Sequence, residues 1–134
     1  MSHTFVNPTE LHDSTEFGYS QSAVVPAGGL VLFAGQYGCG NDGKVISPNF
    51  AEQTHRAVQN LGVALAASGL NFDNVARIGT YIVDHNEEKL GVLLNLVHQT
   101  WGDQPPAQTV LGVSALALPE MRFVIDAVAV RPTP

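Results

Sequence analysis

Hydrophobic and polar residues follow each other in patterns that predict short strands and two helices. The predicted strands are rich in β-branched and aromatic residues and are bounded by glycine or proline. They cover 19–25, 30–34, 74–83, 108–116 and 122–130, and 44–46 fits either a further short strand or a loop. The segment 26–29, Pro-Ala-Gly-Gly, is typical of a tight turn, so we expect the first two strands to form a hairpin.

Both helices are predicted from apolar stripes and from the residues at their ends. Val58, Leu61 and Leu65 share one face of the first helix, which Gly69 is expected to end. Two capping boxes are predicted, at Asn49 with Glu52 and at Asp84 with Glu87. In the second helix the apolar stripe runs from Leu90 to Trp101, and the helix is expected to end at Gly102.

This order of elements predicts an α+β protein with one mixed sheet of five to six strands and two helices on one face of it. The other face then needs a partner. We expect residues 1–134 to form a single domain, with 1–17 as an irregular N-terminal arm.

Composition strengthens the case for a partner. Only 13% of the residues are charged, against about 25% in a typical soluble domain. A homo-oligomer is therefore favoured over a monomer coated with neutral polar residues. The six Lys and Arg residues are scattered over a chain of net charge −6, which disfavours nucleic-acid binding.

Other sequence signals favour a cytoplasmic protein. The N-terminal residues are polar, unlike a signal peptide, and no apolar run approaches the roughly 20 residues of a membrane helix. Cys39 is the sole cysteine, so an internal disulfide is excluded. The five histidines form no HxxxH or HxH pair and there is no CxxC, so no metal site is predicted.

Two features could carry chemistry. Asp126 lies in the apolar strand FVIDAVAV, where a carboxylate is either a tuned acid or acceptor in a pocket or a hydrogen-bonded structural group. The loop 35–43, GQYGCGNDG, either offers backbone N–H groups to an anion or is a glycine-rich turn, and it lacks the Lys-Ser/Thr ending of a P-loop. Within it, Cys39 is interpreted as an inert thiol, because a nucleophile would need a neighbouring base.

An ordered set of short motifs resembles the Rid family, also called the YjgF family. The resemblance covers about residues 18–131. Its pieces are YSQSA at 19–23, AGQ at 34–36, QT at 53–54, AASG at 66–69, YIVD at 81–84, PA at 106–107, LP at 118–119 and IDAVAV at 125–130.

The resemblance implies a chorismate-mutase-like fold and a homotrimer with clefts between subunits. It also implies a reactive-intermediate deaminase, which hydrolyses enamines and imines without a metal or an organic cofactor. The family's substrate-binding arginine, in its Pro-Ala-Arg motif, is replaced by Gln108. Its water-positioning glutamate aligns with Val124, and Asp126 takes the second acidic position. The chain is therefore a divergent relative, in which activity on small 2-imino acids is expected to be weak.

Two functions remain open at this stage. One is hydrolysis of a small, uncharged imine or enamine, or related water chemistry on a small metabolite, in a cleft between subunits. The other is a non-catalytic module that binds a metabolite or has a regulatory role. Ribonuclease activity, sometimes attached to this family, is the least favoured. In the enzyme hypothesis water is positioned by a carboxylate, Asp126 or Glu120, and the residues that line the substrate cleft are Tyr19, Gly35, Gln36, Gln108 and Thr109.

Overall fold

The structure is a computed structural model and describes residues 3–11, 13–25 and 29–132. Within these ranges the chain forms six strands, two α-helices and two short 3-10 helices. The strands are β1 (Thr4–Val6), β2 (Ser22–Val24), β3 (Leu30–Gln36), β4 (Val75–Val83), β5 (Ala107–Val113) and β6 (Phe123–Val130). The helices are α1 (Phe50–Ala67) and α2 (Glu87–Trp101), and the 3-10 helices cover Ser14–Phe17 and Phe72–Asn74.

Four of the strands form one mixed sheet in the order β3-β6-β4-β5. β4 and β5 run parallel, while β6 is antiparallel to both β3 and β4. The remaining two strands, β1 and β2, form a separate antiparallel ribbon. The predicted α+β class is confirmed, and its six strands divide into a sheet of four and a ribbon of two.

The strand partners near the N-terminus differ from the prediction. The prediction of a hairpin between 19–25 and 30–34 is wrong, because β2 pairs with β1 and β3 pairs with β6. The turn that suggested it, 26–28, lies outside the described residues. The irregular arm therefore contains a strand, β1. Of the segment 44–46, Val45 makes only an isolated bridge to Cys39.

The hydrophobic core lies between the two helices and one face of the sheet. Phe123, Ile125 and Ala127 of β6 are buried on this face, whereas the alternate residues of the strand are half-buried. The helices contribute Ala57, Val58, Leu61 and Leu65 from α1 and Leu93, Leu96, Val97 and Trp101 from α2. The two predicted apolar stripes are thus the faces that the helices bury.

The helix ends follow the predicted chemistry only in part. At α1 the predicted capping box is incomplete, because the Asn49 N–H donates to Ser47 Oγ and the Glu52 carboxylate accepts from the Ser47 hydroxyl. Asn49 caps α1, since its side chain accepts from the Glu52 N–H at 2.9 Å. Gly69, with φ of +73°, follows the end of the helix as predicted. The cap of α2 is Asn86 rather than Asp84, because Asp84 turns out of β4 with φ of +53° and the helix begins only after it.

The second face of the sheet is left uncovered by the helices. On it or along its edges, Leu32 is 74% exposed, Leu30 54% and Leu111 48%. Accessible apolar side chains that lie together are typical of protein–protein contact surfaces. Separately, among the described residues no helix combines the length and the hydrophobicity that crossing a membrane requires.

Candidate functional site

The predicted site residues lie in two groups at opposite edges of the four-stranded sheet. Gln108 and Thr109 belong to β5, the strand at one edge, and Gly35 and Gln36 belong to β3, the strand at the other. Since β6 and β4 lie between them, three strand spacings of about 4.8 Å separate the groups by roughly 14 Å. A single copy of the chain therefore does not bring the two groups into one pocket.

Tyr19 belongs to the β5 edge. The residue after it, Ser20, bridges to Ala107 at the start of β5, and its backbone N–H donates to the Pro106 carbonyl at 2.9 Å. The Ser20 hydroxyl donates to the Pro105 carbonyl. These bonds hold the segment that carries Tyr19 against the segment that carries Gln108.

Both ends of the Gln108 amide are engaged within the chain. Its Oε1 accepts from the hydroxyl of the buried Thr80 at 2.9 Å, and its Nε2 donates to the Gly18 carbonyl at 2.7 Å. An arginine has no acceptor and could not take the Thr80 proton. The contacts of Gln108 therefore require a neutral amide. The second N–H of its NH₂ group is available to a ligand. Thr109, the next residue of the strand, is exposed on the opposite face.

At the β3 edge the strand is irregular, with a register shift between Phe33 and Gln36. Gly35 lies there against Val124 of β6, and a Cβ on Gly35 would come within 2.7 Å of the Val124 Cγ1. Any side chain at 35 would displace that contact. The position aligned with the family's water-positioning glutamate is therefore filled by an apolar side chain packed on the β3 backbone. The Gln36 side chain donates through Nε2 to the Ala34 carbonyl, at 3.3 Å.

Asp126 lies on the uncovered face, which is opposite to the face that holds Gln108. Its Oδ1 accepts from the Gly79 N–H at 3.0 Å, and its Oδ2 accepts from the Tyr81 hydroxyl at 2.9 Å. The bond to this carboxylate, together with burial and the carboxylate's charge, raises the pKa of Tyr81. Asp126 is thus a hydrogen-bonded carboxylate whose two oxygens each keep room for one more donor.

Glu120 lies apart from Asp126, in the segment before β6. Its side chain is exposed and borders a cleft of about 710 Å³, which Asp126 does not line. Its carbonyl accepts from Gln53 Nε2 at 3.0 Å. Gln53, a fully buried amide of α1, entered the sequence analysis only as part of the QT motif and was given no role. The available signal was its spacing, because it stands four residues before Ala57 on the apolar stripe.

The glycine-rich loop after β3 is tied to α1. Asn60 of α1 donates through Nδ2 to the Tyr37 and Cys39 carbonyls, at 2.9 and 3.1 Å. The Cys39 sulfur lies 3.7 Å from the same nitrogen. Among the described residues, no three His, Cys, Asp or Glu side chains are grouped so as to hold a metal ion.

Comparison with known proteins agrees with this fold and with the motifs. The sequence model of the Endoribonuclease L-PSP family matches residues 11–131. The chain belongs to the Rid (YjgF) family that this model describes. It is 31% identical to the RutC family protein YjgH of Escherichia coli K12 over 97 residues, which are 72% of each chain.

Two further relatives bear on fold and activity. The human 2-iminobutanoate/2-iminopropanoate deaminase is 29% identical over 114 residues, 84% of this chain and 80% of the human protein. The crystal structure of the Rid protein YyfB of Yersinia pestis, described as of unknown function, superimposes with a TM-score of 0.93 and 29% identity. That match covers 98% of this chain and all of YyfB. The Rid fold is therefore shown, and imine deamination occurs among the Rid relatives.

Proposed function

We propose that the protein hydrolyses a small imine or enamine in a cleft that forms when copies of the chain associate. The observation that carries this proposal is the division of the site between the β3 and β5 edges of the sheet. A second copy that docks its β5 edge near the β3 edge of the first would bring Gln108 and Tyr19 to Gly35 and Gln36. Relatives named as imine deaminases support the reaction class.

The uncovered sheet face supports association. Leu32, Leu30 and Leu111 are accessible on it or beside it. Full burial of an exposed leucine contributes about 1.5–3 kcal/mol, and these partly exposed leucines would each contribute less. Because β3 and β5 are different edges, a contact between them is head-to-tail, and copies joined in this way form a ring when the rotation between neighbours closes. The assembly we propose is a homotrimer.

In this cleft Gln108 and Tyr19 would hold the substrate, and Thr109 would line the wall. The backbone near Gly35 and Gln36 would polarise the C=N group. Water, positioned by Asp126 or Glu120, adds its oxygen to the C=N carbon while a proton goes to the nitrogen. The C–N bond then breaks, a C=O bond forms, and the nitrogen leaves as ammonia with the proton from the new hydroxyl. An enamine first moves one N–H proton to its β-carbon and so becomes the imine, after which each step balances with water alone.

The neutral Gln108 predicts the substrate class. An arginine at this position would add a bidentate charged hydrogen bond to a carboxylate, which a neutral amide cannot make. We therefore expect acyclic N–H imines without a carboxylate to be hydrolysed faster than 2-aminoacrylate.

The test is ammonia release from an acyclic N–H imine without a carboxylate, generated enzymatically by oxidation of a primary amine, and from enzymatically generated 2-aminoacrylate. A charged hydrogen bond contributes roughly 1.5–3 kcal/mol, so Gln108→Arg should shift preference toward 2-aminoacrylate by about tenfold or more. Gln104→Arg is the matched control, because residue 104 is exposed and outside the site. No acceleration of either substrate, by the natural chain or by the Gln108→Arg variant, would reject the proposal.

A non-catalytic metabolite-binding module is the second candidate. It is favoured by one observation, the replacement of the aligned carboxylate by Val124, which packs on Gly35. A ligand that raises the melting temperature without being consumed would support it. Ribonuclease activity, which the name of the family model suggests, is disfavoured by the scattered basic residues and the charge of −6.

A further inference from the structure

A cleft of about 710 Å³ lies between the glycine-rich loop after β3 and the segment before β6. This volume falls within the range of about 300–1,000 Å³ that is usual for small-molecule sites. One wall is formed by residues 42–48, and the other by 118–120 together with Arg122. We call it the loop cleft. Of the residues assigned to imine hydrolysis, only Glu120 borders it.

One buried side chain holds the two walls at a fixed spacing. Gln53 donates through Nε2 to the Ser47 carbonyl on one wall, at 2.8 Å, and to the Glu120 carbonyl on the other, at 3.0 Å. Its Oε1 accepts from the Arg122 N–H at 2.9 Å. Because Gln53 is fully buried, the loop cleft is preformed within a single copy of the chain.

The loop wall is also internally braced. The Gly40 N–H donates to the Lys44 carbonyl at 3.1 Å, and the Ile46 N–H donates to the Gly38 carbonyl at 2.9 Å. The Tyr37 hydroxyl donates to the Gly43 carbonyl at 2.6 Å. A preformed wall lowers the ordering entropy that a ligand has to overcome on binding.

Each wall of the loop cleft carries one acidic and one basic side chain. Asp42 and Lys44 stand on the loop wall, and Glu120 and Arg122 on the other. Within the described part of the chain none of these four side chains forms an ion pair, and only Asp42 has a hydrogen bond, from the Lys44 N–H at 3.0 Å. Arg122 is half-buried, whereas the other three are exposed.

Apolar side chains lie between these charges. Ile46 is 43% exposed on the loop wall and Leu118 is 38% exposed on the other wall. A ligand that matches the whole loop cleft therefore carries a negative group, a positive group and an apolar body between them.

We propose that the loop cleft binds a short zwitterionic peptide of about dipeptide size. Its C-terminal carboxylate binds the guanidinium of Arg122, which can engage both oxygens at once. Its N-terminal ammonium binds Glu120, and its apolar side chains pack on Ile46 and Leu118. This binding does not depend on the hydrolytic reaction proposed above.

The test is a titration of isotope-labelled protein by NMR with leucyl-leucine. Its N-acetyl form, which lacks the positive charge, and its C-terminal amide, which lacks the negative charge, are titrated in parallel. We expect saturable shifts of the amide signals in 42–48 and 118–122 with leucyl-leucine. Each blocked form should bind about tenfold more weakly or worse, because a charged hydrogen bond is lost.

Two variants assign the charges. Arg122→Gln should weaken the binding of leucyl-leucine about tenfold and leave the binding of its C-terminal amide unchanged. Glu120→Gln should weaken the binding of leucyl-leucine by a similar factor and leave the binding of the N-acetyl form unchanged. Arg56→Gln is the matched control, because Arg56 lies on α1 outside the loop cleft. The proposal is overturned if shifts do not saturate, if they map to 105–109 instead, or if the blocked peptides bind as well as the free one.

Discussion

Gln53 offers the sharpest test of how the structure is held together. The change Gln53→Ala removes three buried hydrogen bonds at once, those to the Ser47 carbonyl, the Glu120 carbonyl and the Arg122 N–H. At roughly 1 kcal/mol of net stability each, the loss is about 3 kcal/mol. The better helix propensity of alanine returns only a few tenths of a kcal/mol. Since domains of this kind are stable by about 5–15 kcal/mol, the loss is large.

Urea unfolding followed by circular dichroism measures this loss. With a slope of about 2 kcal/mol/M, a loss of about 3 kcal/mol lowers the midpoint by roughly 1.5 M. Both proteins must be unfolded at one protein concentration, because association contributes to apparent stability. Gln59→Ala, an exposed change on the same helix, is the control and should stay within about 0.5 kcal/mol.

The isosteric change Gln53→Glu separates hydrogen bonding from packing. It keeps the size of the side chain but replaces the donating NH₂ group by an acceptor, which then faces the Ser47 and Glu120 carbonyl oxygens. At neutral pH we expect it to be as destabilising as Gln53→Ala or more so. A loss below about 1 kcal/mol in both variants would refute the claim that this amide fastens the two walls.

Three further predictions concern other contacts. Gly38→Ala would place a Cβ 2.6 Å from the Gln53 backbone, so it should lower the free energy of unfolding, measured in urea, by about 2 kcal/mol. The control Gly91→Ala has open space around the added Cβ and should not lower it. His3 is buried, and burial lowers its pKa although an interaction with the Val75 backbone opposes the shift, so stability should fall as pH drops below 6.5. A melting temperature with the same pH dependence in His3→Gln would contradict this. A double-mutant cycle of Tyr81→Phe and Asp126→Ala, in which each change removes the bond between the two side chains, should give a coupling of about 1 kcal/mol, and additive effects would disprove that bond.

The sequence alone determined the local features of this protein. The apolar stripes of α1 and α2, the Asn49 cap and the glycine after α1 depend on residues within a turn or two of each other, so their pattern is readable from the chain. Strand positions were also predictable for β4 and β6, and the ordered motifs pointed to the Rid family.

Strand partners and shared hydrogen bonds were decided only by the tertiary structure. Turn chemistry at 26–29 predicted a hairpin, but β3 instead pairs with the apolar strand β6 near the other end of the chain. Gln108 binds the Gly18 carbonyl across 90 positions, and Gln53 binds the Arg122 N–H across 69. No local pattern encodes which distant group will meet a buried amide, because that depends on how the packed elements lie against one another. The division of the candidate site between two sheet edges follows from the strand order, which the sequence did not reveal.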